Sequence, residues 1–280
     1  MALLTSNQLQ KFNEDGFLLI KGFYDVKKEI EPIHFGIWKI IQILLDKYKI
    51  DVERKAFSSA TFDHGYKELI VHNRKYGGDL YDAVKQIPAF LRLVSMASNE
   101  KLFSEIRNTD FPGIAGAGYG IRIDNPNEEK FRSLWHYEYR DQLRSVDGVV
   151  FWSPLGSVKP ETGPVQICPK SHKGGLRRSF LRDPENPDKT GAYAMRIENE
   201  SGLIYQYGVT APLCEPGDLI LMDFLTLHSS GKNVSDRSRW SMQFRYFNFN
   251  DPSGIKINWT GCVMNGVQLK DVHPELVIEN

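Results

Sequence analysis

The sequence predicts a mainly β domain, a sandwich or barrel, with flanking helices, and three observations predict it. Between residues 113 and 250, short β-rich runs alternate with turns of Gly, Pro, Asn and Asp. Before residue 112, apolar residues recur mostly at helical spacing. No repeat or linker separates the two textures, and a helical half alone would lack the sheet it must cover. With 280 residues and 41% hydrophobic content, a single domain over 1–280 is expected. Its parts are a helical N-terminal part over 1–112, a β core over 113–250 and a C-terminal extension over 251–280.

Thr5 and Ser6 can cap a short helix that ends near Gly16. A strand over 17–20 follows, then a long helix over 27–48 carrying Ile30, Ile33, Ile37, Trp38, Ile41, Leu44 and Leu45. Further helices are expected over 80–85, 88–97 and 99–108. Strands are expected over 117–123, 134–139, 148–154, 164–167, 205–210, 218–224 and 240–249. The Pro- and Asp-rich stretch 183–190 reads as a surface loop.

The 35 basic and 35 acidic residues cancel, so no basic field exists to draw nucleic acid. A small-molecule partner is expected instead. Cys168, Cys214 and Cys262 form no CxxC pair and are odd in number, which argues against a zinc ribbon and a disulfide scaffold. The N-terminus lacks the apolar stretch of a signal peptide, and the longest apolar run, over 37–45, is too short to span a bilayer. A cytoplasmic protein without membrane contact is expected.

The chemistry is carried by the run LWHYEY. On a strand, His136 and Glu138 share one face, while Trp135, Tyr137 and Tyr139 take the other. An imidazole and a carboxylate projecting together can occupy two adjacent positions on a metal. A third ligand from a distant strand completes the two-His, one-carboxylate set of non-haem iron(II) oxygenases. His228 is the candidate: it follows the apolar strand over 218–224 and precedes a small polar run, where functional side chains are often presented. By itself H-x-E also fits a hydrogen-bonded structural pair.

The combination resembles a known family. His136-Tyr-Glu138, the stretch ETGPVQICPKSHKG from Glu161 to Gly174, HSSGKN from His228 to Asn233, and then Arg239 are similar in order to the phytanoyl-CoA dioxygenase family. The N-terminal pattern Gln8, Phe12, Asp15-Gly16-Phe17 and Ile20 is similar to that family's opening helix and strand. The resemblance implies a double-stranded β-helix of jelly-roll, cupin-like type. It implies iron(II), 2-oxoglutarate and dioxygen, with succinate and CO2 released as a substrate is hydroxylated. By position, His136 and His228 match the metal histidines, and Glu138 stands where the family usually has Asp. Asp141, one turn on, is the alternative carboxylate. Arg239 matches the arginine for the distal carboxylate of 2-oxoglutarate, and Trp152 matches an aromatic lining that pocket.

A guanidinium fork suits a carboxylate in a way lysine cannot. Arg239, Ser241, Gln243 and Arg245 share one strand face, so the Ser241 hydroxyl can assist; Arg237 competes with Arg239 for the role. Candidate substrate contacts are Arg122 and Tyr119 on the strand before the metal motif, His64 in the N-terminal half, and Arg245. His172 reads as a turn-holding residue, His72 as a solvated one, and Cys168 and Tyr137 as packing residues. The rival function is a non-catalytic cupin-like ligand-binding protein in which Glu138 marks lost iron chemistry.

Overall fold

A computed structural model of the chain describes residues 2–185, 195–261 and 266–278. Cys262 and most of the stretch 183–190 lie outside these.

Local chemistry places the first elements. The Thr5 hydroxyl accepts from the Gln8 backbone N–H at 3.2 Å, and the Gln8 side chain accepts from the Thr5 N–H at 2.9 Å. This reciprocal cap starts α1 (Ser6–Asp15), and Gly16, at φ 74°, ends it in the left-handed conformation. β1 (Phe17–Ile20) leaves that turn. A π-helical turn at Val26–Ile30, capped by Asp25, leads into α2 (Glu31–Lys47). α3 (Tyr66–His72) is a helix the sequence pattern did not announce; α4 (Tyr76–Val84), α5 (Pro88–Val94) and α6 (Ala97–Arg107) lie where helices were expected.

The sheet strands are β2 (Pro112–Ile114), β3 (Gly120–Asp124), β4 (Gly148–Pro154), β8 (Leu219–Asp223) and β10 (Arg239–Asn248), together with β1. Their order is β1-β8-β4-β10-β2, with β3 also pairing to β10, and every pairing is antiparallel. β5 (Val165–Ile167) and β9 (His228–Ser230) form a two-stranded sheet. β6 (Ser179–Phe180), β7 (Arg196–Ile197) and β11 (Val277–Ile278) form a small third one. The remaining helices are α7 (Glu138–Gln142), α8 (Glu200–Tyr207), α9 (Pro252–Lys256) and α10 (Leu269–Val272).

The period of two along each strand divides the interior into two cores. Val149 and Phe151 of β4, Leu219 and Leu221 of β8, and Trp240, Met242, Phe244 and Tyr246 of β10 pack with Ile33, Ile37 and Ile41 of α2. The alternate residues Val150, Trp152, Ile220 and Met222 join Tyr137, Tyr139, Val165 and Ile167 on the opposite side. The helices therefore cover one face of the large sheet. The other face, carrying Arg239, Ser241, Gln243 and Arg245, turns toward the β5–β9 pair.

Three expectations are corrected. The core is β, but helices occupy more of the described residues than strands do. The run 205–210 is not a strand: its first half lies in α8, where Leu203, Ile204 and Tyr207 pack inward at helical spacing and Tyr205 is 93% exposed. Only Thr210 keeps a bridge, to Ile167. The surface-loop reading of 183–190 fails at its start, because Asp183 is fully buried and its carboxylate accepts from Arg196.

Candidate metal centre

The run 134–139 was expected to be a strand, and it is not. His136 makes a single two-way bridge with His228, its N–H donating to the His228 carbonyl at 3.0 Å and the reverse bond measuring 2.9 Å. Tyr137 is still extended, and at Glu138 the chain turns into α7. The Tyr139 N–H reaches the Phe224 carbonyl at 3.1 Å, which anchors that turn against the end of β8. His136 and Glu138 still face the same space, through a bridge followed by a helical turn.

The side chains of His136, Glu138 and His228 offer ligand atoms within 4.8 Å of one another. Glu138 Oε2 lies 3.5 Å from His228 Nε2 and 3.9 Å from His136 Nε2. Each histidine is oriented by backbone: His136 Nδ1 meets the Leu134 carbonyl at 2.8 Å, and His228 Nδ1 meets the Thr226 carbonyl at 2.9 Å. A carbonyl only accepts, so Nδ1 carries the proton and Nε2 is left bare for a metal. Glu138 Oε1 accepts from Arg245 Nε at 2.8 Å, while Oε2 is buried without a hydrogen-bond partner among the described residues. Arg245 also donates to the Gly118 carbonyl at 3.1 Å.

Burial alone would raise the Glu138 pKa, but the Arg245 guanidinium outweighs it and holds the carboxyl well below its ordinary range. Burial, and then the neighbouring His228 ring, push the His136 pKa far down, so it presents a neutral ring. Asp141 differs: burial lifts its pKa, and its carboxylate faces Arg140 at 3.4 Å. The histidines therefore have Glu138, not Asp141, as their carboxylate neighbour. A buried carboxylate oxygen without a donor, facing two bare imidazole nitrogens, is what a cation site requires.

A cavity of about 170 Å³ opens over this cluster, lined among others by Trp152, Arg122, Gln243 and Arg245. Of the substrate candidates, Arg122 and Arg245 lie here. Arg245 serves Glu138. Tyr119 packs against the helical core, edge-on to Phe90, and neither it nor His64 lines the cavity. His72 is exposed.

Arg239 is buried and does not line this cavity. One of its terminal nitrogens donates to Asp124 at 2.7 Å and to the Ser230 hydroxyl at 3.1 Å. Its Nε and Nη1, and the Ser241 hydroxyl, are buried without partners among the described residues. Arg237, its competitor, binds Asp63 at 2.6 Å on a half-exposed surface. Burial opposes ionisation of Asp124, but Arg122 and Arg239 hold its pKa below the ordinary carboxylate range.

The motif residues explain how β9 is set. The Ser171 hydroxyl donates to the Cys168 carbonyl at 2.7 Å and accepts from the Leu227 N–H at 2.8 Å, one residue before His228. His172 Nε2 meets the Asn13 carbonyl at 3.2 Å, tying this turn to α1 as a structural histidine. Asn233 donates to the Asp124 and Arg237 carbonyls, both at 2.9 Å, fixing the loop between β9 and β10. Gly163, at φ +72°, packs so tightly on that loop that a Cβ would sit 2.5 Å from the Gly231 carbonyl oxygen. Gly163→Ala should therefore destabilise the fold by at least about 1–3 kcal/mol, the cost of strained left-handed backbone. A denaturant melt checks this, and an unchanged midpoint would refute it.

Sequence reasoning missed Arg140 and Asp124. Arg140 shares residue parity with His136 and Glu138, so extending the same-face argument by two positions would have found it. Asp124 meets Arg239 through the β3–β10 register, Asp124 lying opposite Arg239, which no local pattern reveals.

Comparison with known proteins follows the same lines. The chain is 24% identical over 274 residues to phytanoyl-CoA dioxygenase domain-containing protein 1 of Bos taurus, covering 87% of this chain and 90% of the relative. Its homolog from Dictyostelium discoideum is 24% identical over 268 residues, covering 84% and 88%. Among solved structures, EctD from S. alaskensis with 2-oxoglutarate and 5-hydroxyectoine superposes with a TM-score of 0.57 at 16% identity, over 89% of this chain and 78% of that one. The non-heme alpha ketoglutarate dependent carbocyclase SnoK superposes with a TM-score of 0.54 at 15% identity, over 88% and 85%. At such identities these two likenesses speak for the fold alone. The model of the phytanoyl-CoA dioxygenase family matches residues 12–241. The chain belongs to the phytanoyl-CoA dioxygenase (PhyH) family.

Proposed function

We propose that this protein is an iron(II)- and 2-oxoglutarate-dependent dioxygenase that hydroxylates a small-molecule substrate, with succinate and CO2 as co-products. The core over 113–250 is read as a double-stranded β-helix within one domain. The observation that carries the function is Glu138 Oε2, buried without a donor and facing the two bare Nε2 atoms of His136 and His228. These three residues would hold the iron. When bound, iron supplies the dioxygen chemistry that no side chain provides.

The chain's own residues do the rest. The Leu134 and Thr226 carbonyls fix both imidazole tautomers. Arg245 keeps Glu138 ionised and aimed. Arg239 offers two unpartnered donors and Ser241 a hydroxyl, a set that fits the distal carboxylate of the cosubstrate. Trp152 closes one wall of the cavity, and walls of this kind exclude water. The rival, a ligand-binding protein without iron chemistry, would leave Glu138 Oε2 buried and uncompensated, at a desolvation cost with no return. Cys168 and Cys214 are buried free thiols, which supports a reducing, cytoplasmic setting. Among the described residues no helix is long and apolar enough to cross a membrane.

Anaerobic addition of iron(II) and 2-oxoglutarate should produce a weak visible charge-transfer band, and succinate should accumulate once air is admitted. The absence of both would sink the dioxygenase reading.

A further inference from the structure

The metal cavity is unevenly charged. Among its described lining residues, Arg122, Arg140 and Arg245 face Glu138 and Asp141. Arg245 is engaged by Glu138 and the Gly118 carbonyl. Arg122 donates to Asp124 and the Phe131 carbonyl. Arg140 is different. It is only 1% exposed, yet among the described residues its sole hydrogen-bond partner is Asp141, reached at 3.4 Å from both Nε and Nη2. Well-formed charge-assisted pairs are shorter, about 2.7–2.9 Å. Arg140 Nη1 is buried with no partner among the described residues. The nearby Glu200 feels the charge of Arg140 but makes its own 3.0 Å bridge to Arg196.

A buried guanidinium donor left without an acceptor is costly, and one that lines a cavity is a place for a ligand oxygen. The charge balance says what kind. Three lining arginines and two lining carboxylates leave one positive charge. Asp124 does not change this, because Arg239 balances it. On the dioxygenase reading, on which this step rests, iron(II) and the dianionic cosubstrate cancel each other. One positive charge remains.

We propose that Arg140 is the substrate anchor, and that the primary substrate carries a single carboxylate received by Arg140 Nη1. A phosphate monoester brings close to two negative charges at neutral pH and would overshoot the balance. Arg140 is thus a specificity-determining residue, and it touches substrate rather than metal.

The test uses benzoate and hexanoate as probes, with benzamide and hexanamide as uncharged matches, read by ligand-observed saturation-transfer NMR on the full chain. Each acid should bind at least about tenfold more tightly than its amide, with or without iron and 2-oxoglutarate. The double substitution Arg140→Gln with Asp141→Asn removes the anchor without stranding its buried neighbour, and should abolish the preference. Should that variant fail to fold, Arg140→Lys keeps the charge but loses the fork, and should weaken acid binding about tenfold. Equal binding of acid and amide by the natural protein overturns the proposal, as does a preference that survives undiminished in the variants. A lost charge-transfer band with the preference intact would refute the iron reading and leave the carboxylate site standing, so the two failures are distinguishable.

Discussion

Glu138→Ala should lower iron(II) affinity by at least about a hundredfold and remove detectable turnover. Substituting residues that merely support a metal's ligands typically costs 10–100-fold in affinity or activity, so loss of a ligand should reach or exceed the upper end of that range. The same change strands Arg245, which is buried with Glu138 as its carboxylate partner at 2.8 Å. Breaking a buried pair by removing one member costs roughly 3–5 kcal/mol. The metal-free variant should therefore melt at markedly lower temperature as well. Glu138→Asp separates the two roles. Aspartate restores the family's usual residue and keeps a carboxylate for the metal, but it is one methylene shorter and should lose contact with Arg245. That variant should retain most iron affinity while losing stability. Anaerobic iron titration and thermal melts of both variants check this. Unchanged iron affinity in Glu138→Ala would move the carboxylate ligand to Asp141.

That Glu138 lies beside both histidines was only partly legible in the sequence. The argument that His136 and Glu138 share a face reached the right pair through the wrong local structure. Strand alternation was assumed, whereas a lone bridge to His228 and a helical turn at Glu138 bring the side chains together. Short polar-aromatic runs such as HYEYR have no period long enough to tell the two apart. The strands β1 and β4 were legible to the residue because each is apolar between clear turn signals. The run 205–210 misled because Tyr205 and Tyr207 mimic alternation, while packing through Leu203 and Ile204 makes it α8. Arg245 as the partner of Glu138, and Asp124 as the partner of Arg239, were not legible, because each joins residues more than a hundred positions apart, the first by α7 packing on β10 and the second through the β3–β10 register.

Arg239→Gln should raise the KM for 2-oxoglutarate by about 10–150-fold, the worth of a hydrogen bond to a charged group at about 1.5–3 kcal/mol, while changing kcat less at saturating cosubstrate. The reasoning starts from the donors. Asp124 and Ser230 take only Nη2, leaving Nε and Nη1 buried and unpartnered beside the Ser241 hydroxyl. Asp124 is therefore a positioning residue: it holds one corner of the fork and leaves the rest of it for a carboxylate. Asp124→Asn keeps an acceptor at that corner but removes the charge, so its effect on KM should be smaller than that of Arg239→Gln. The fold should tolerate Arg239→Gln, because Asp124 keeps Arg122 at 3.0 Å as a second partner. Steady-state succinate formation across a range of 2-oxoglutarate concentrations reads both parameters. An unchanged KM in Arg239→Gln would transfer the anchor to Arg122, the arginine of β3 that lines the metal cavity where Arg239 does not. In that case Arg122→Gln, and not Arg239→Gln, should carry the loss, and Asp124 would be positioning Arg122 instead.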